Sequence, residues 1–211
     1  MSRKVLAIAL VVLLIGTCTL SFSQTYKKVD KSIESMRKTR EAIEKAKDQK
    51  DKTMAALAQL AGLSQGNIMK PFKKFTDELK KLDKSSNAVR KIATDMRAKN
   101  QDLFKAWEKE LSNIQNPDLQ QKAVERRSQA MQQFEDLNPA FQSTREAFVS
   151  LMAGLEDIRN YLSVDLSPNG IQAISDMVQE AQTHNQAVDD GIATIKQELG
   201  EFAAEYSGKS P

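Results

Sequence analysis

Cysteine and histidine are almost missing from this chain, one of each in 211 residues, and tryptophan also occurs only once. A single cysteine cannot build a disulfide scaffold, and a single histidine cannot supply an ordinary zinc site or the two Glu-x-x-His pairs of a four-helix di-iron site. Glycine (8) and proline (5) are scarce and aromatics reach only 6%, a composition that argues against a sheet sandwich. Charge of one sign is missing too: 31 basic and 28 acidic side chains leave +3, which gives no reason to expect nucleic acid. No glycine-rich phosphate loop, nucleophile elbow or metal-spaced Cys/His cluster occurs. His184, with Glu180 four residues before it, reads as a packing or surface residue, and the acidic side chains read as solvated. The sequence therefore predicts no catalytic residue, no cofactor, no metal ligand and no enzyme.

What is present begins with a leader. Arg3 and Lys4 precede an unbroken apolar run from Val5 to Gly16, which at 12 residues is short of the roughly 20 that a spanning helix needs. This predicts a signal peptide over residues 1–23 and an exported protein of the periplasm or cell envelope. Two endings of the leader stay open. Ser21-Phe22-Ser23 suits ordinary signal peptidase and leaves Gln24 as the first residue, whereas Ile15-Gly16-Thr17-Cys18 resembles a lipoprotein motif cut after residue 17. In the second case Cys18 is the lipidation site and tethers the chain to a membrane. In either case the mature domain, residues 24–211, holds no cysteine and relies on packing alone.

From Tyr26 onward apolar residues recur at alternating spacings of three and four, the mark of helices with a heptad seam. The first seam includes Tyr26, Val29, Ile33, Met36, Ile43 and Leu57, with Lys47 and Lys50 between; the second runs from Phe72 to Trp107. A third runs from Ala130 through Phe134, Leu137 and Phe148 to Leu162, and a fourth from Ile171 to Tyr206. Turn signals separate them at Gly66-Asn67 before Pro71, at Asn116-Pro117-Asp118 and at Ser167-Pro168-Asn169-Gly170. The prediction is all-α: an elongated, antiparallel, up-down four-helix coiled-coil bundle, with helices over about 25–62, 71–114, 118–163 and 169–206. Pro139 stands in register with its seam and predicts a kink in one continuous third helix.

Charge is partitioned along the chain. Residues 24–109 carry 22 basic against 12 acidic side chains, and residues 110–211 carry 7 against 16. Attraction between the two hairpins is the expected use, ahead of an anionic envelope partner, because the opposite charge is supplied within the same chain. Lys47, Ser86, Thr144 or Arg145, and Asn185 fall at similar heights by counting from the turns, which predicts a polar layer that fixes register. Met54 to Leu63 with Ile68, Met69 and Phe72, together with Tyr161, Leu162, Val164 and Leu166, makes one end of the rod unusually apolar. Burial or self-association is expected there, ahead of membrane contact.

Leu103-Phe104-x-x-Trp107-Glu108-Lys109-Glu110-Leu111, the Leu137-x-Pro139 step with Phe141 and Arg145 after it, and Tyr26-x-x-Val29 behind an export leader resemble the bacterial family catalogued as domain of unknown function 2959. The resemblance runs from about Tyr26 to Tyr206 and implies an exported, largely helical protein of unestablished activity. An acylated cysteine commonly follows the leader in that family; here Thr17 precedes Cys18 where Gly, Ala or Ser is usual. The stretch from Met152 to Gly170 is longer than the family's usual link into the last helix. The functional expectation is a non-enzymatic bundle of the cell envelope that serves as a structural or protein-interaction module, with an envelope protein or a second copy as partner. The alternative is a bundle whose amphipathic helices bind a lipid surface.

Overall fold

The computed structural model describes residues 4–63 and 65–206, with side chains from residue 27 onward. The leader reading for residues 1–23, its Cys18 and Gln24, and the seam residue Tyr26 concern side chains outside the described ones. The fold is all-α, as the heptad spacing predicts. Its helices are α1 (Lys4–Ala61), α2 (Met69–Leu111), α3 (Pro117–Glu135), α4 (Leu137–Val164), α5 (Pro168–Ala173) and α6 (Ser175–Tyr206). At about 1.5 Å per residue the 43 residues of α2 span about 65 Å.

Cross-helix contacts fix the directions. Lys28 reaches Asp102 and Gln49 reaches Glu78, so α1 and α2 run antiparallel. Lys50 meets Asn185 and Asp189 while Arg40 lies against Gly200, which makes α6 antiparallel to α1 as well. α4 packs along α6, with Gly191 against Thr144, and α3 packs on α2. A Cβ at Gly191 would run into the Thr144 hydroxyl, so glycine sets how closely these two helices approach.

The turns follow from their sequences. Asn116 caps α3 by accepting from the Leu119 amide at 3.1 Å, and Pro117 fills the first helical position, where no backbone donor is needed. Ser167 and Pro168 repeat the device at α5, with Ser167 Oγ accepting from Gly170 N at 3.1 Å. Gly66 takes a φ of +102° in the first turn, which a side chain would strain.

In place of one kinked helix over 118–163 there are two, α3 and α4, joined by the single residue Asp136. Pro139 is the cause. It has no N–H for the Glu135 carbonyl and its ring crowds that group, so regular helix stops after Glu135. Asp136 keeps right-handed dihedrals (φ −63°, ψ −18°), so the path bends without opening into a loop. A similar step at Ile174 (φ −88°, ψ 2°) divides the predicted fourth helix into α5 and α6, and nothing in the local sequence explains it.

The core runs the length of the bundle. Phe75, Leu79, Leu82, Met96 and Leu103 of α2 are buried, as are Leu151, Leu155, Ile158 and Leu162 of α4 and Val178, Val188, Ile195 and Leu199 of α6. Helix α1 differs from the others because it also buries Ser32, Ser35, Thr39 and Thr53. Three of these hydroxyls bond back to their own helix, Ser35 to the Ser32 carbonyl (2.6 Å), Thr39 to Ser35 (2.9 Å) and Thr53 to Gln49 (2.8 Å). A hydroxyl satisfied in this way presents a small surface, which lets α1 touch neighbours on two sides.

Candidate functional site

Two places in the rod collect more than aliphatic packing. The first is a polar layer at mid-height. Lys50 is only 1% exposed, yet its ammonium donates to Asp189 Oδ2 (2.9 Å), Asp51 Oδ1 (2.8 Å) and Asn185 Oδ1. Lys47 joins from the rim, 2.8 Å from Asp51 and 3.4 Å from the second Asp189 oxygen. Burial alone pushes the Asp51 carboxyl up, but hydrogen bonds from Lys47 and Lys50 outweigh it and hold the group below its ordinary value. The same bond to Asp51, helped by Asp189, raises Lys47.

This layer corrects two expectations. Lys50 is its buried member in place of Lys47, and its acids are not fully solvated. Ser86 turns back to the Asp83 carbonyl of its own helix and Thr144 to Ala140, so neither of the predicted partners joins it. Asn185 does. Here lysines of the basic hairpin meet an acid of the acidic one, whereas the pair of Lys196 with Glu44 runs in the reverse sense.

Away from this layer, α6 carries a carboxyl with the reverse shift. Burial raises Glu198, and the negative charges of Glu201 and Asp136 add to the effect. Its Oε2 is buried with no hydrogen-bond partner.

The second place lies at the end where α2 and α6 finish. Aromatic rings form a chain across three helices: Phe104 meets Phe134 edge-on at 6.0 Å, Phe134 meets Phe202 at 6.0 Å, Phe202 meets Tyr206 at 4.7 Å, and Tyr206 meets Trp107 at 6.5 Å. Between these rings and Val29 and Ile33 of α1 lies a cavity of about 140 Å³. Small residues leave the space. Ala130 and Ser32 stand on the lining, and the Ser32 hydroxyl is spent on Asn100 Oδ1 at 2.7 Å. Asn100 in turn donates to the Met96 carbonyl at 2.9 Å.

The rim is polar. Arg126 stands one helical turn before Ala130 and places its guanidinium 5.0 Å over the Tyr206 ring, with Glu205 at 3.4 Å. Arg127 donates to the Phe104 carbonyl at 3.1 Å and pairs with Glu108 at 3.1 Å. Tyr206 donates to Gln133 Oε1 at 2.7 Å, and burial, then Glu205, raises its phenol.

Leu103, Phe104 and Trp107 belong to the run that carries the sequence resemblance. The comparison with known families agrees: residues 22–204 match a family described as protein of unknown function (DUF2959). The chain belongs to this family. No curated protein and no solved structure matches it. The run from Leu103 to Trp107 thus supplies one wall of the cavity, and Trp107 is half-buried there, edge-on to Tyr206.

Other sequence candidates are placed elsewhere. His184 is half-buried on α6, 3.7 Å from Glu180. At the turn end Ala56, Leu57, Leu60 and Ile68 are buried, while Met69 (62%) and Val164 (91%) are exposed. Among the described residues no group of three or more His, Cys, Asp or Glu is placed to hold a metal ion. Among them, too, no helix is long and apolar enough to cross a membrane.

Proposed function

We propose that the chain is an exported, non-enzymatic rod of the cell envelope that works through contact with an envelope protein. The observation that carries this reading is how the buried polar groups are used. Lys50, Asp189 and Asn185 bind one another across α1 and α6, and Ser32 binds Asn100 across α1 and α2. A layer of this kind fixes which helices pair and in what register, at some cost in stability. It is what a rigid spacer or docking module needs. The leader at residues 1–23 supports export, with release at Gln24 or tethering through Cys18 as its two outcomes.

A second reading has one observation in its favour. Met69 and Val164, at two turns of the same end, offer exposed apolar groups to a lipid surface. Against it, most of the apolar seam residues are spent on neighbouring helices. Flotation of residues 24–211 with anionic vesicles separates the two. The rod is expected to stay at the bottom of the gradient, and flotation that survives high salt would overturn the proposal in favour of lipid-surface binding.

A further inference from the structure

The pocket at the aromatic end has a volume of about 140 Å³, is partly open to solvent, and is lined almost entirely by apolar surface. Its two lining hydroxyls, on Ser32 and Tyr206, already donate to Asn100 and Gln133, so what faces the space is mainly hydrocarbon and aromatic ring. A charged rim stands beside it. Arg126, one turn from the lining residue Ala130, is about half exposed and lies over the lining residue Tyr206. Its acidic neighbour Glu205 is held only at 3.4 Å, an open pair that a second carboxylate can share.

We propose that this cavity binds the hydrocarbon end of a free fatty acid, with Arg126 holding the carboxylate at the rim. A cavity of this volume accepts a short length of chain, and the cation lies over Tyr206, one of its lining rings. The proposal goes beyond the rod reading and does not depend on it.

Trp107 is the only tryptophan in the chain and lines the cavity, so its fluorescence reports directly on occupancy. The full chain recovered from its host and stripped of lipid would be titrated with decanoate, with decanol, and with phosphatidylglycerol vesicles. Decanoate is expected to move Trp107 emission to a saturating end point and to bind more tightly than decanol, while the vesicles leave the emission unchanged. Ala130→Leu, which fills the space, should weaken decanoate at least tenfold. Arg126→Gln should weaken decanoate about threefold, the scale of an exposed ion pair, and leave decanol unaffected.

A response that never saturates, or one that Ala130→Leu leaves intact in a chain of unchanged helicity, would overturn the proposal. So would a response to vesicles without one to decanoate. Should Ala130→Leu fail to fold, the exposed Arg126→Gln variant decides: equal decanoate affinity with and without the arginine overturns the assigned site.

Discussion

At the turn end of the rod Leu57, Leu60, Phe75, Leu155, Ile158, Leu162 and Ile174 are each 0% exposed, while at the opposite end Trp107 and Tyr206 are only half-buried beside a cavity of about 140 Å³. Aliphatic side chains in the first region interdigitate and fill it. In the second, flat rings meet edge-to-face, and with Ala130 and Ser32 between them they leave space. The difference teaches where this bundle draws its stability and where it keeps room for something else.

The contrast can be broken by mutating both ends. Leu60→Ala at the filled end should cost about 3 kcal/mol and lower Tm by roughly 6–12 °C, because a fully buried side chain leaves a hole in a packed layer. Ala130→Leu at the other end adds volume where volume is free, and should shift stability by less than about 1 kcal/mol. Thermal unfolding followed by circular dichroism compares them. Similar losses for the two would show that the ends are packed alike.

The polar layer between the ends gives a middle-sized effect. Lys50→Ala strands Asp189, whose side chain is 24% exposed, and should cost about 2 kcal/mol in denaturant unfolding, less than the loss of a fully buried pair. Lys50→Met keeps the volume and removes the charge. It should cost less than the alanine, and equal costs would mean that the charge alone accounts for Lys50.

Glu198 gives a small effect and a pH signature. Its carboxyl is raised by burial in the folded chain, so its contribution to stability is complete below the ordinary carboxylate value and is lost as pH rises through the raised one. Glu198→Gln should therefore stabilise by about 1 kcal/mol at pH 7, and parent and variant should converge below about pH 4.

Much of the architecture was legible from periodicity. Phe75, Leu79, Leu82 and Met96 on one seam and Val178, Val188, Ile195 and Leu199 on another are buried where spacings of three and four put them. Ser35, Thr39 and Thr53 were not legible, because hydroxyls bonded to their own helix count as polar in any pattern although they pack as small groups; Ser32 was hidden because its partner Asn100 lies on another helix. Lys50 was hidden for a related reason: a seam lysine reads as one that reaches solvent, and only a cross-helix acid such as Asp189 makes burial tolerable. The joint at Asp136 carried a readable cause in Pro139, but not its depth. Of the cavity, Trp107 and its neighbours stood out as a run, whereas the space among them depends on the relative heights of four helices.

We propose that this rod works outside the cytoplasm. Mass spectrometry of the N-terminal peptide, on protein recovered from soluble and membrane fractions of its own host, tests that claim most directly. A chain beginning at Gln24, or at an acylated Cys18 in the membrane fraction, is the predicted result, and a chain that keeps residues 1–23 intact in the cytosolic fraction would contradict it.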